Sequence, residues 1–550
     1  MKKVISKCVV LLLVVVMVAG FLPYQMAGII TADAYSFTGQ DVNTTTNITI
    51  NGNDTSADYT YVHLGSGGSS GFGANRKINI VEANLADDQS LGFEVMNNGT
   101  YLKNAVPLTT VVSEYNEGSK QILAAVNGDW MSWANSVASG SVTSNYRVSF
   151  SSMIADGEIW CSQMTSYEQN ADFFTFGVTT DRQVVIGKPK IQTTIKNVTK
   201  GTSYTATGIN RAPANNTLTV FNNRLNDSNY VNTDAYEVVL QTSDNRIMNG
   251  GTLTGTVKAI YTAGTTSRGK LDSNTVVITA RGSKISTISG KFAVGNTVTI
   301  STSIYDSYGN NDKWAKVDEA IGGQCLVMKN GSINNDLSGG SSDNYPTNII
   351  GYKSDKTIMM SMVTADTNGV RKGLVFNSNI DTFCKAVGYD TCLLLDGGGS
   401  TTMITLEDGN YVERACYSDG AIRATWNSCA IVYDAGNLVV PNNIKNVVFD
   451  PEYYYAKNKD LQAFGQNSSR LFQHFYEFGI AEGRQGSPLF AIDEYINQNN
   501  DLKAAFGFAS SADNETKKSK RLDALSHFSR NGAYKDASTR ITSTKTADLH

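Results

Sequence analysis

The chain has 550 residues, enough to bury more than one hydrophobic core, and its net charge at neutral pH is only -4. Its 46 Lys and Arg stand against 50 Asp and Glu with no basic block, so it lacks the concentrated positive charge that a nucleic-acid partner requires. Many Thr, Ser, Asn and Gly residues, with 8 Pro and 26 Tyr, suit an extracellular β-rich protein that meets polar polymers.

At the N-terminus, Lys2, Lys3 and Lys7 precede an apolar run over residues 8–21 that is too short for a stable membrane span. The small-x-small site Ala32-Asp33-Ala34 follows. Residues 1–34 therefore read as a signal peptide, which leaves a secreted or envelope-associated mature chain with no membrane span after cleavage. Removal of Cys8 leaves six cysteines: Cys161, Cys325, Cys384, Cys392, Cys416 and Cys429. An even number outside the cell permits disulfides, and Cys384/Cys392 and Cys416/Cys429 are the first pairs to test. No C-x-x-C pair is present, which argues against a structural zinc site.

Residues 35–58 are rich in Thr and Asn without a clear period and read as an exposed leader or one edge strand. The glycine-rich stretch 65–73 has no Lys-Ser/Thr ending, so it is a flexible loop rather than a phosphate loop. Strand-like segments follow at 77–81, 236–240, 252–260 and 275–279, separated by Gly, Asn and Asp turns. A helix is predicted over residues 380–387, with Ser378 as N-cap, Ile380, Phe383, Cys384 and Val387 on its apolar face, and Gly388 as its stop. It lies between apolar strands at 358–363 and 392–395, the order of a β-α-β crossover.

Beyond residue 435 the pattern turns helical and aromatic. Phe449-Asp450-Pro451 with Tyr454, Asp460-Leu461 and Phe464-Gly465 corresponds to Phe490 with Tyr495, Asp501-Leu502 and Phe506-Gly507. His474-Phe475 with Gly479 corresponds in turn to His527-Phe528 with Gly532. Residues 446–486 and 487–535 thus read as two short helical repeats. The fold class is α+β: a β-rich mixed-sheet catalytic domain with few helices over residues 59–435, and a small all-α C-terminal region.

Two segments carry the chemistry. In Leu393-Leu394-Leu395-Asp396-Gly397-Gly398-Gly399-Ser400-Thr401-Thr402-Met403 an apolar strand runs into an acid, three glycines and three hydroxyl residues. Asp396 emerges at the strand end, the glycines let a ligand approach the backbone amides, and Ser400, Thr401 and Thr402 supply donors. In Ala125-Val126-Asn127-Gly128-Asp129-Trp130 a strand ends the same way: Asn127 can fix a hydroxyl, Asp129 can serve as acid, base or nucleophile, and Trp130 or Trp133 offers a sugar-stacking face. Either segment alone is also compatible with a capped turn.

Together these segments resemble the hallmark motifs of the phosphodiester glycosidase family. The likeness continues through Gly208-Ile209-Asn210-Arg211, Ala320-Ile321-Gly322-Gly323, residues 346–351, and Ser418-Asp419-Gly420 followed by Arg423 and Asn427. It covers roughly residues 59–433. Where the family shows Pro-Arg-Thr, this chain has Pro346-Thr347-Asn348, so a basic residue is missing.

The resemblance implies cleavage of the sugar C1–O bond in a glycosyl-1-phosphodiester, with Asp396 and Asp129 as catalytic carboxylates. It implies substrate binding by Asn127, Gly128, Gly397, Gly398, Gly399, Ser400, Thr401, Thr402, Arg423, Asn427, Arg211 and Asp419. Phosphate is a good leaving group, and a guanidinium such as Arg423 or Arg211 can stabilise its charge. The implied partner is a phosphorylated envelope or exopolysaccharide glycan, with a further surface-glycan contact open to the C-terminal repeats. No cofactor and no metal are implied. The missing basic residue keeps a second reading open, a non-catalytic protein that binds phosphorylated glycans. Within the catalytic region His63 is the sole histidine, so a Ser-His-Asp hydrolase is poorly supported.

Overall fold

Alternating burial builds many of the strands. In Pro189–Asn197 every second residue is buried and those between are exposed, as a strand with one wet face requires. The structure, a computed structural model, describes residues 35–528 apart from 36, 38–39, 51–52, 67–72, 87, 89, 103, 116–119, 131–147, 165–172, 212–213, 226–233, 266–270, 335–343, 376–378, 435–447, 465–470, 473, 489 and 499. The expected signal peptide, Trp133, Ser378, most of the 65–73 loop, Gly532 and His550 lie outside the described residues.

Pro189–Asn197 belongs to an eight-stranded sheet drawn wholly from residues 189–306. Its inner face packs Ile195, Val220, Val238, Ile278 and Ile300 against Trp314. A large side chain buried in this way contributes about 2 kcal/mol. The strands expected at 236–240, 252–260 and 275–279 lie within this sheet as Tyr236–Thr242, Thr252–Tyr261 and Thr275–Ala280.

Ile358–Ala365 and Asn427–Asp434 are instead buried at every position, so both faces of each are covered. Ile358–Ala365 sits inside a second eight-stranded sheet, between Arg76–Ala83 and Thr347–Tyr352. Both it and Thr391–Leu394 run antiparallel to Thr347–Tyr352. They are therefore parallel to each other with one strand between them, and the helix Ile380–Ala386 makes the crossover. Gly388, at φ +82°, stops that helix in the left-handed region.

Of the two readings of residues 35–58, the structure takes the edge strand, with no buried position over residues 40–47. Gln40–Ile50 is the edge strand of this second sheet, and Tyr35, Phe37, Ile48 and Ile50 are buried in the body. All six cysteines are free thiols, so neither candidate pair is bridged. Cys384 and Cys392 do meet in the core, where burial and the neighbouring thiol push Cys384 well above its usual range.

The sheet that matters for chemistry has five antiparallel strands in the order Asn410–Ala415, Thr402–Glu407, Lys120–Asn127, Asn427–Asp434, Leu91–Asn97. Its register sets Val126 opposite Met403 and Asn127 opposite Ser428. Because neighbouring strands alternate in direction, the end of one strand meets the beginnings of two others. The segments around residues 128, 400 and 426, far apart in sequence, therefore leave the sheet at one end.

The C-terminal helices are Pro451–Lys457, Lys459–Phe464, Phe475–Gly479, Ile480–Glu482, Ile492–Gln498, Asn500–Phe506 and Asn514–His527. Asp450 caps the first by accepting from the Tyr453 amide at 3.0 Å, ahead of Pro451. Phe449, Tyr454 and Phe475 form a three-ring cluster, with Tyr454 and Phe475 at 5.3 Å and 76°. Phe490, Tyr495 and Phe528 form another, with Tyr495 and Phe528 at 5.2 Å and 77°. The architecture is α+β, and among the described residues no helix is long and apolar enough to cross a membrane.

Candidate active site

Asn127, at the end of its strand, is fully buried, and both polar atoms of its side chain are engaged. Its Nδ2 donates to the Asp396 carbonyl at 2.8 Å, while its Oδ1 accepts from Asn348 Nδ2 at 2.6 Å and from the Thr402 amide at 2.9 Å. Asn127, expected to hold a substrate hydroxyl, is thus a latch that joins the two motifs, with its amide engaged by protein groups. Thr402 is likewise structural: it is buried, and its hydroxyl donates to the Ser400 carbonyl at 3.1 Å.

Gly128 completes the junction. Its carbonyl accepts from the Asp396 amide at 2.8 Å, and its amide donates to the Asn427 carbonyl at 2.9 Å. A Cβ at this position would fall 2.4 Å from Ile321 Cδ1 and 2.5 Å from Asn427 Oδ1, so the approach tolerates glycine alone. Asn427 also turns its Oδ1 to the Asp129 amide at 2.8 Å, acting as a support for the acid.

Asp129 lies deep, with 4% of its surface exposed. Its Oδ2 accepts from the Ser149 hydroxyl and, at 2.8 Å, from the Ser151 amide, whereas its Oδ1 is buried without a protein partner. Burial pushes its pKa up to about 6, against the hydrogen bonds of Ser149, Ser151 and the Trp130 amide and the field of Arg211. Arg211 is fully buried behind it and donates through Nη1 to the Ser149 carbonyl at 2.5 Å. The guanidinium therefore presents no face to a substrate. For Arg211, expected to bind substrate, the structure shows a buried side chain held at the Ser149 carbonyl.

Asp396 is half-buried at the mouth of the loop. Burial raises its pKa to about 7, and the negative field of Asp129 adds to the rise, while Ser400, Arg423 and the Gly397 amide oppose it. Two acids that feel each other and differ in exposure have the makings of an acid and base pair.

The glycines shape the anion side. Gly398 takes φ +62° and donates its amide to the Pro346 carbonyl at 2.8 Å. A Cβ on Gly399 would strike the Arg423 guanidinium 2.1 Å away, so this glycine lets the cation lie flat against the loop. Arg423 is partly exposed and is held through Nε by Asp419 Oδ2 at 2.7 Å. The same contact holds the Asp419 carboxyl down at about 2. Thr401 is fully buried, and its hydroxyl has no protein partner. Thr347, where the family motif has arginine, turns its hydroxyl back to the Tyr345 carbonyl at 2.7 Å. The cation against the glycine loop is thus Arg423.

Asp129, Asp396, the glycine loop, Ser400, Thr401, Arg423, Asp419 and Asn427 come together at one end of the five-stranded sheet. Sequence reasoning missed Ser149 and Ser151, which lie in a serine-rich stretch with no motif to single them out. It also gave Gly322 no role of its own, yet a Cβ there would fall 2.3 Å from Asp129 Oδ2. Among the described residues no group of three His, Cys, Asp or Glu side chains could hold a metal ion.

No curated protein matches the chain. A hypothetical protein from Synechocystis superposes with a TM-score of 0.51 at 15% identity, over 68% of this chain and 62% of that one. The chain thus spans less than two thirds of that neighbour, and the likeness shows the fold alone. The catalytic domain of zebrafish N-acetylglucosamine-1-phosphodiester alpha-N-acetylglucosaminidase aligns over 71% of this chain and 87% of its own at 11% identity, with a TM-score of 0.35, too low to carry an argument. The family model does carry one: residues 247–432, which hold the glycine loop, Asp419, Arg423 and Asn427, match the phosphodiester glycosidase family.

Proposed function

We propose that the protein is an extracellular glycosidase that cleaves the C1–O bond of glycosyl-1-phosphodiesters in envelope or exopolysaccharide glycans. The observation that carries this reading is the meeting of two raised carboxyls, at about 6 and about 7, with the Arg423 guanidinium lying on Gly399. The phosphodiester anion binds at the glycine loop against Arg423, where hydrogen bonds to a charged fork stabilise the departing phosphate. Asp396, half-buried and the more readily protonated of the two, supplies the proton to the leaving oxygen. Asp129, supported by two hydrogen bonds to Oδ2 and the field of Arg211, stays ionised, balances the oxocarbenium-like sugar and takes the proton of the water whose oxygen bonds to C1 as the phosphate leaves.

The purified chain incubated with a panel of sugar-1-phosphodiesters tests this. Release of free sugar and a phosphomonoester is expected. Binding without release by a correctly folded protein favours the second reading, a silent binder of phosphorylated glycans, for which the absence of a cation at Thr347 speaks. The C-terminal helices fit a role in holding the enzyme to surface glycan. Deletion of residues 446–535 then lowers retention on cell-wall material.

A further inference from the structure

A cleft of about 900 Å³ opens along Leu91–Asn97, which pairs with Asn427–Asp434, the strand that also pairs with Lys120–Asn127 leading to Asp129. Asn98, on the cleft lining, donates its amide to the Trp426 carbonyl at 2.7 Å and its Nδ2 to Thr425 Oγ1 at 2.8 Å, and it accepts from the Ser428 hydroxyl at 2.6 Å. These three residues flank Asn427, which supports Asp129.

Its walls are fixed in advance. Glu319 accepts from the Val95 amide and from the Asp156 amide, both at 2.7 Å, and so ties opposite sides together. Arg224 lies over the Trp160 ring at 4.3 Å, and Glu158 clamps it through Nε and Nη2 at 2.9 and 2.5 Å. Planar amides at Asn97 and Asn104, with the ring of Tyr101, line the remainder. Aromatic surface interleaved with planar hydrogen-bonding groups suits a sugar ring, which has apolar C–H faces and an equatorial belt of hydroxyls.

The charges decide which sugar. Glu94 is paired with Lys120, Glu158 with Arg224 and Arg246 with Asp244. The exposed carboxylates Glu114 and Asp156 then set the sign of the field, so a phosphate or uronate is repelled and an amine is attracted. We propose that this cleft is a saccharide subsite for phosphate-free units of the glycan, with amine-bearing sugars preferred over neutral ones. The assignment to a glycan rests on the function proposed for the neighbouring acids, but the binding it asserts does not use their chemistry.

Calorimetric titration of the full chain with a glucosamine tetramer, its N-acetylated counterpart and a galacturonate tetramer tests the proposal. The expected order is amine first, acetylated second, and no measurable binding of galacturonate. Tyr101→Ala weakens the first two by roughly tenfold. Glu114→Lys, on an exposed helical position, weakens the amine ligand by about threefold and leaves the acetylated one unchanged. Both variants keep wild-type turnover on a minimal sugar-1-phosphodiester. If neither the amine nor the acetylated tetramer binds, or if galacturonate binds best, the proposal is overturned. A chain that binds the tetramers but releases no sugar in the turnover assay upholds the cleft and counts against the catalytic reading instead.

Discussion

The acid pair and the C-terminal helices handle buried polarity in opposite ways. In the helices the arginines are matched: Arg521 pairs with Asp493 through Nε and Nη2, both at 2.7 Å, and donates to the Ile480 and Ala481 carbonyls, while Arg484 pairs with Asp460 and Glu482. At the end of the five-stranded sheet, Asp129 Oδ1 and Thr401 Oγ1 are buried without protein partners and two carboxyls are pushed upward. An unmatched buried polar atom costs on the order of 1–3 kcal/mol. Among the described residues the C-terminal helices hold no such unmatched side-chain atom, whereas the end of the five-stranded sheet combines them with two raised carboxyls, a combination found at functional sites.

The sharpest way to break this contrast is to remove the polar groups on each side. Asp396→Asn is expected to lower turnover at least a hundredfold while the thermal midpoint holds or rises, because a raised acid is exchanged for a neutral amide. Steady-state kinetics beside a melting curve reads both, and near-normal turnover removes Asp396 from the mechanism. Arg423→Lys keeps the charge but loses the planar fork, so KM for a phosphodiester should rise about tenfold. Arg521→Ala in the helices should do the reverse: kcat/KM stays unchanged, and unfolding in urea shows a loss of about 2 kcal/mol.

The smallest effect is in pH. Both acids have folded values above the ordinary 3.8, so folding favours their protonated forms. That contribution is fully present below about pH 4 and is lost as pH rises through about 6 and 7. Melting points should therefore fall modestly from pH 5 to 8, and by less in Asp396→Asn. The rate should peak between the two values, where one carboxyl is ionised and the other protonated, with both limbs belonging to the pair rather than to either residue alone.

Much of this was legible in the sequence, because strand periodicity and glycine runs are local signals. The Leu393–Leu395 run into Asp396 and three glycines announced a loop at a strand end, and Ile380, Phe383, Cys384 and Val387 announced the crossover helix. What stayed hidden depends on partners distant in sequence. Asn127 looked like a substrate ligand until Asn348 and Thr402, more than two hundred residues away, took up its Oδ1. Arg211 sat in a family motif, but its burial behind Ser149 is a property of packing. For residues 35–58 the Thr and Asn content left an exposed leader and an edge strand both open, and pairing with Asn53–Leu64 decides for the strand.

On the proposed function, the acid pair and Arg423 act on the sugar carbon rather than on phosphorus. Hydrolysis of a sugar-1-phosphodiester in ¹⁸O-enriched water, with mass analysis of both products, shows which bond breaks. The label is predicted in the released sugar and absent from the phosphomonoester; label in the phosphate product, with an intact sugar 1-phosphate, contradicts the account.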